Sequence, residues 1–440
     1  MREFDLIVIG SGPGGYNTAS YAAKNGLQVA IVESNKAGGT CLNIGCIPTK
    51  SLAHDAELVN ERQLSSELKA EAFAKAMKRK EAVVDQLVSG VETLLAQPGI
   101  TLLRGVASFK DAHTVVVNDE EIVGKNIIIA TGSLPKMPPI PGIDGENVIS
   151  STELLSLDKL PESLCIVGAG VIGMEFAYIL NSFGCKVTVV EFLKECLSTM
   201  DGDIAKRLRK VHEKQGITFY FQSGVKRIEG NQVIFERKGK DQTIEAEKVL
   251  VATGRKANID SLHLENTGVE TNRHGIVVDD NMPTNVEHIF AIGDCNARQM
   301  LAHAAMFQGF RAVNTILGKS DNIHLDIMPA AVFTQPEAAS VGPTEEQLKE
   351  NETEFKTFKG FYRANGRALS MEATEGMLKL FTAPDGKLLG CQCYGAHAAD
   401  MIQEVASLMN MDATVQQLAD MVHIHPTLSE ILQDAARSAL

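Results

Sequence analysis

The sequence predicts an α/β protein with two similar nucleotide-binding folds followed by a smaller α+β domain at its C-terminus. Three observations carry that expectation. A strand, a glycine-rich turn, a helix and a second strand follow one another at the start of the chain and again from residue 164. In each copy a glutamate ends the second strand 23 positions after the first glycine, Gly10 to Glu33 and Gly168 to Glu191. From Asp326 onward the pattern changes to strands and amphipathic helices with no further glycine-rich turn.

In the first turn Gly10 permits the tight bend, Gly12 lets the backbone approach a pyrophosphate, and Gly15 lets helix and strand pack closely. Gly168, Gly170 and Gly173 repeat that spacing. Glu33 and Glu191 then stand at the distance expected for a ribose hydroxyl, so both copies read as Rossmann-like dinucleotide sites. Each is closed by an apolar strand running into a Thr-Gly pair, Thr131-Gly132 and Thr253-Gly254. A third such strand, Ile289 to Ile292, ends in Gly293-Asp294, so the chain is expected to return to the first domain after completing the second. The expected division is 1–148 with 265–325, then 149–264 as an insertion, then 326–440. Pro135, Pro138, Pro139 and Pro141 suit a stiff connection into the inserted domain. Glu191 would repel a 2′-phosphate, and only Lys194 among the next residues is basic, so the second site is expected to take NAD over NADP.

A chain of 440 residues exceeds the size of a single core. Its 42 basic against 55 acidic residues give a net charge of -13, which opposes nucleic acid and anionic membranes as partners. The start reads as a buried strand rather than a signal peptide, and no apolar run is long enough to span a bilayer, so a cytoplasmic protein is expected. No metal site is expected. Residues 54–97, with Glu57, Glu67, Glu71, Lys75, Lys78 and Lys80, are expected to form solvent-facing helices.

Eight cysteines are too few for a secreted disulfide framework. Six read as structural, while Cys41 and Cys46 sit in the stretch Gly38 to Lys50. On a regular helix positions five apart are separated by about 8.6 Å, beyond the roughly 4.4 to 6.8 Å that a disulfide spans. Pairing therefore needs a distorted turn, which Gly45 would permit. So small a ring is a poor staple and suits opening and closing. Beside a flavin-type fold it could pass two electrons between a thiol substrate and an isoalloxazine ring.

Gly39-Thr-Cys41-Leu-Asn-Ile-Gly-Cys46-Ile-Pro-Thr-Lys50 resembles the redox signature of the dihydrolipoamide dehydrogenases, within the class I pyridine nucleotide-disulfide oxidoreductases, and the likeness extends over essentially the whole chain. The resemblance implies an enzyme that reoxidises dihydrolipoamide through a redox disulfide and FAD, with a hydride passed to NAD. It makes Cys41 the thiol that exchanges with substrate, Cys46 the flavin-side thiol, and Lys50 a flavin neighbour paired with Glu175. It gives FAD to Gly10, Gly12, Gly15, Glu33, Lys50, Thr131, Gly132 and Asp294, and NAD to Gly168, Gly170, Gly173, Glu191 and Gly254. The first and returning segments become the FAD-binding domain, the insertion the NAD-binding domain, and 326–440 an interface domain for dimerisation.

Thiol exchange needs a base, and His425 held by Glu430 is a plausible dyad. Thr427 and Glu430 also form a capping-box pattern for the last helix, and Pro426 favours an extended His425. The resemblance gives both residues the catalytic role and has this tail reach the disulfide of the other subunit, hence an obligate homodimer with composite sites. It implies lipoyl-bearing proteins of a 2-oxoacid dehydrogenase or glycine cleavage complex as partners. One departure stands out, Ala304-Ala305 after His303, where relatives often carry a lysine.

Overall fold

The structure is a computed structural model and describes residues 2–440. The strand Arg2–Ile9, buried at its C-terminal half, lies at the centre of a seven-stranded sheet, with Val29–Glu33 and Ile100–Arg104 on one side and Glu120–Ile129 on the other. These pairings are parallel, as strands joined through crossovers must be. Ile289–Ala291 then pairs in parallel with Glu120–Ile129, so the chain does return to its first sheet.

Between these segments lies a second parallel sheet, in the order Thr218–Tyr220, Lys186–Val190, Ser163–Val167, Lys248–Val251, Val148–Ile149. Its central strand Ser163–Val167 is covered on both faces, which explains its unbroken apolar run. The C-terminal unit is a five-stranded antiparallel sheet whose inner strands are Leu388–Gly395 and Met377–Thr382. Helix Ala398–Asn410 presents Met401, Ile402 and Val405 to its core.

One buried cation ties this sheet to the second unit. Lys379 is the one charged residue of the strand Met377–Thr382, only 3% exposed, and its ammonium meets Asp201 at 2.7 Å and Glu345 at 2.5 Å. A buried charge persists only when paired in this way.

The long helix Ser66–Leu95 corrects one expectation. Most of its charges face water, but Phe73, Ala76, Val84 and Val91 are buried, and so is Lys80. The Lys80 ammonium donates to the Leu155 carbonyl, satisfying an acceptor near the end of helix Ser151–Leu154, and meets Glu81 at 2.7 Å. Packing against a neighbouring unit outweighed polarity there. No helix among the described residues is long and apolar enough to cross a membrane.

Candidate active site

The two glycine-rich turns have the same construction. Gly10 and Gly168 lie at φ +104° and +108°, and a Cβ on either would stand 2.5 Å from a carbonyl, that of Ala130 or Ala252. Glycine is required on both counts. Beneath the turns, Gly15 and Gly173 pack against the carbonyls of Gly10 and Gly168 too closely for any side chain. The middle positions are open: only Gly39 Cα comes within 3.9 Å of a Cβ built at Gly12, and nothing lies within 4 Å at Gly170. That open space beside a helix N-terminus fits a pyrophosphate.

The glutamates complete the likeness. Glu33 accepts from Ser11 N at 2.9 Å, Ser11 Oγ at 2.7 Å and Asn35 N at 2.8 Å. Glu191 accepts from Ala169 N at 2.6 Å and Leu193 N at 2.7 Å. Each carboxylate braces its own turn, and carboxylate oxygens retain lone pairs for a further donor such as a ribose hydroxyl.

Both turns open into one cavity of about 1750 Å³, larger than the roughly 300–1,000 Å³ of ordinary small-molecule sites. Glu33, Thr131, Gly132, Asp294, Glu191 and Gly254 line it together with Cys41, Cys46, Lys50 and Glu175. Gly15 and Gly173 lie beneath it. His425 and Glu430 are not part of its wall.

The cysteines meet because the helix breaks between them. Gly39–Ile44 forms one short helix and Cys46–Arg62 another, with Gly45 as the joint. A Cβ at Gly45 would stand 2.8 Å from Thr40 O and 3.1 Å from Cys41 Cα, so a larger residue would push the turns apart. Both cysteines are free thiols in this structure. The neighbouring Cys41 thiol is the first influence on Cys46 and holds it down to about 7, with the Lys50 charge assisting and burial opposing. Cys46 in turn, with burial, pushes Cys41 far up. The pair is therefore biased so that Cys46 gives up its proton before Cys41.

Lys50 donates to both oxygens of Glu175, at 2.8 and 2.9 Å. Glu175 also accepts from the Phe333 N–H at 3.0 Å, and the Phe333 ring lies 4.8 Å from the Lys50 ammonium. Asp294 accepts from Ser133 Oγ at 2.5 Å, and Arg255 Nε donates to that same hydroxyl at 2.7 Å. Phe333, Ser133 and Arg255 escaped the sequence reading. Ser133 and Arg255 directly follow the two Thr-Gly pairs, which was the available signal. Ala305, the noted departure, packs its Cβ against Gly14 and Gly293.

His425 Nδ1 lies 2.9 Å from Glu430 Oε1, and its side chain is 81% exposed. Glu430 also accepts from the Thr427 N–H at 2.8 Å, and these bonds hold its carboxyl below the usual range, the backbone bond first. Only half of the expected capping box is formed: Glu430 takes the Thr427 N–H, but Thr427 Oγ1 donates back to the Ile424 carbonyl instead of accepting from the helix. The helix begins at Glu430 with Ser429 as its N-cap. Glu430 is thereby shared between the histidine and the Thr427 N–H.

Two Gly-turn sites, a thiol pair and a shared cavity define a flavin- and nucleotide-dependent disulfide oxidoreductase. Residues 4–309 match the pyridine nucleotide-disulphide oxidoreductase family, and residues 328–436 match its dimerisation domain. The chain belongs to that family, is an oxidoreductase, and has FAD and NAD as cofactors. The dihydrolipoyl dehydrogenase of Corynebacterium glutamicum is 39% identical over 459 residues, spanning 99% of this chain and 97% of the relative. That of Bacillus subtilis is 37% identical over 464 residues, spanning 99% and 98%. Among solved structures, the Cu(II) complex of the HOCl-induced flavoprotein disulfide reductase RclA from Escherichia coli superposes with a TM-score of 0.90 at 33% identity, covering 100% of both chains.

Proposed function

We propose that this protein reoxidises dihydrolipoamide to lipoamide at the Cys41–Cys46 pair, with NAD as the final acceptor. The observation that carries the reading is the Cys41–Cys46 pair itself, set beside Lys50–Glu175 where the two nucleotide turns share one cavity. The dihydrolipoyl dehydrogenases among its relatives support the choice of dithiol.

In the oxidised enzyme the pair is closed as a disulfide. His425 takes a proton from one substrate thiol, and the resulting thiolate attacks Cys41 Sγ. The protein S–S bond breaks, its electron pair goes to Cys46, and the substrate is held as a mixed disulfide at Cys41. The second substrate thiol then displaces Cys41, forming cyclic lipoamide and leaving both protein sulfurs reduced. Two electrons and two protons have left the substrate. FAD bound here would supply the acceptor for that electron pair and the route for a hydride to NAD. Gly10, Gly12, Gly15, Glu33, Lys50, Thr131, Gly132 and Asp294 would hold FAD. Gly168, Gly170, Gly173, Glu191 and Gly254 would hold NAD.

His425 and Glu430 stand outside the cavity of their own chain, which supports a homodimer in which each tail serves the partner's cysteines. Lipoyl-bearing proteins of a 2-oxoacid dehydrogenase or glycine cleavage complex would deliver the dithiol. A second reading has one observation in its favour, the full-length likeness to RclA, whose solved complex contains Cu(II). In that reading the same thiols act on another disulfide or a metal ion. Anaerobic titration with dihydrolipoamide, followed by NAD, separates the two. A long-wavelength absorption band that appears with the dithiol and fades as NADH forms is the expected result. An unchanged spectrum with dihydrolipoamide, in a protein that NADH does reduce, overturns the substrate assignment.

A further inference from the structure

Two short strands outside the main sheets join the nucleotide-binding units. Ser133–Pro135 leaves the first unit, Arg255–Ala257 leaves the second, and they pair antiparallel with Ala257 opposite Ser133. Across this pairing Arg255 donates from Nε to Ser133 Oγ and from Nη2 to the Ser133 carbonyl, both at 2.7 Å. A hydroxyl has one proton to give, and with Arg255 as its donor Ser133 gives that proton to Asp294 Oδ2. The guanidinium itself stands 3.9 Å from the same carboxylate, and the Arg255 and Asp294 side chains are only 16% and 24% exposed.

The relay thus runs from the second unit, through the first, to the turn Gly293–Asn296 that follows the returning strand. All three residues also line the shared cavity. A planar fork bound to two acceptors of one residue fixes direction as well as distance. A lysine would retain the charge without the direction. The neighbouring tethers, Lys136 N to Gly254 O and Asn258 N to Gly132 O from the backbone and Thr253 Oγ1 to Lys136 O and Asn258 Nδ2 to Thr131 O from side chains, each engage their acceptor through a single donor and none reaches Asp294.

We propose that Arg255 is a positioning residue that locks the two nucleotide units in register, through Ser133 and Asp294, so that hydride transfer between their cofactors is fast. The proposal rests on the assignment of the two turns to FAD and NAD and is independent of which dithiol is the substrate.

The test is anaerobic stopped-flow reduction of the bound flavin by NADH, in FAD-loaded protein and its Arg255→Gln, Arg255→Lys and Ser133→Ala variants. A small misplacement of reacting centres slows reaction by up to about a hundredfold. The limiting rate is therefore expected to fall about tenfold or more in both arginine variants, and less far in Ser133→Ala. Half-saturating NADH should move by less than about twofold, the pattern of lost positioning rather than lost binding. If Arg255→Gln sheds FAD, Arg255→Lys with full FAD content and a parental circular dichroism spectrum decides. A parental limiting rate in Arg255→Lys, or a loss confined to NADH affinity, overturns the proposal. Failure of NADH to reduce the parent flavin would overturn the cofactor assignment with it, whereas failure of dihydrolipoamide alone would leave this measurement standing.

Discussion

Replacing Lys50 by methionine tests how the Lys50–Glu175 ion pair is held. Glu175 is bonded by Lys50 at 2.8 and 2.9 Å and by the Phe333 N–H at 3.0 Å. Its side chain is 4% exposed against 32% for Lys50. Without the ammonium the carboxylate keeps a single donor in a buried site. Breaking a buried pair by removing one partner costs about 3–5 kcal/mol. Lys50 is partly exposed, so a cost discounted below that range, about 2–3 kcal/mol, is expected for Lys50→Met. Adding Glu175→Gln removes the stranded charge yet keeps an acceptor for Phe333, and should recover about 1–2 kcal/mol. Urea unfolding of the four flavin-free proteins, followed by circular dichroism and compared at equal slope, gives the cycle. Effects additive to within about 0.5 kcal/mol would refute the stranded-charge argument.

Two further outcomes follow from the site. In the reduced protein, the thiolate absorbance near the ultraviolet edge should titrate at about 7 for Cys46, with deprotonation as pH rises. Because the neighbouring Cys41 thiol is its largest cause, Cys41→Ala should raise that midpoint while Cys41→Ser, which keeps a donor, raises it less. For the composite sites, mixed dimers of a Cys46→Ser chain with a His425→Ala chain are informative, since each parent homodimer is expected to be inactive. A partner-supplied base restores one of the two sites and about half the activity per dimer, whereas a base acting within its own chain restores none.

Much of this arrangement was written in local patterns. The turns at Gly10 and Gly168, their glutamates and the break at Gly45 each depend on residues a short distance apart in sequence, where spacing carries geometric meaning. The return of Ile289–Ala291 to the first sheet was legible because its apolar run and terminal Gly-Asp repeat a strand-end pattern. What escaped depends on contacts between distant segments. Ser133 and Arg255 are 122 positions apart and share only their place after a Thr-Gly pair, while Phe333 stands 158 positions from Glu175 with no local pattern to link them. Lys80 looked like one more surface charge because its acceptor, the Leu155 carbonyl, belongs to another helix. Thr427 fitted a capping pattern, but the chain starts its helix later, so only the Glu430 half of the box forms and the same carboxylate also meets the histidine.

The eight cysteines show how environment rather than residue type decides chemistry here. Burial alone raises Cys165, and burial is the first cause at Cys185, Cys295 and Cys393, all pushed up to about 12. Cys196 and Cys391 are driven upward in the same direction by the same cause. A thiol in that state is neither nucleophile nor ready leaving group. Cys46 is also penalised by burial, yet the neighbouring Cys41 thiol and the charge of Lys50 reverse the sign. Since Glu175 acts on Cys46 in the opposite direction while holding Lys50 in place, the ion pair has two effects that partly cancel. The neighbouring Cys41 thiol therefore carries most of the bias. The two thiols are brought together because Gly45 lets one helix end and the next begin within a single residue, so the bias between them traces to a glycine that has no side chain of its own.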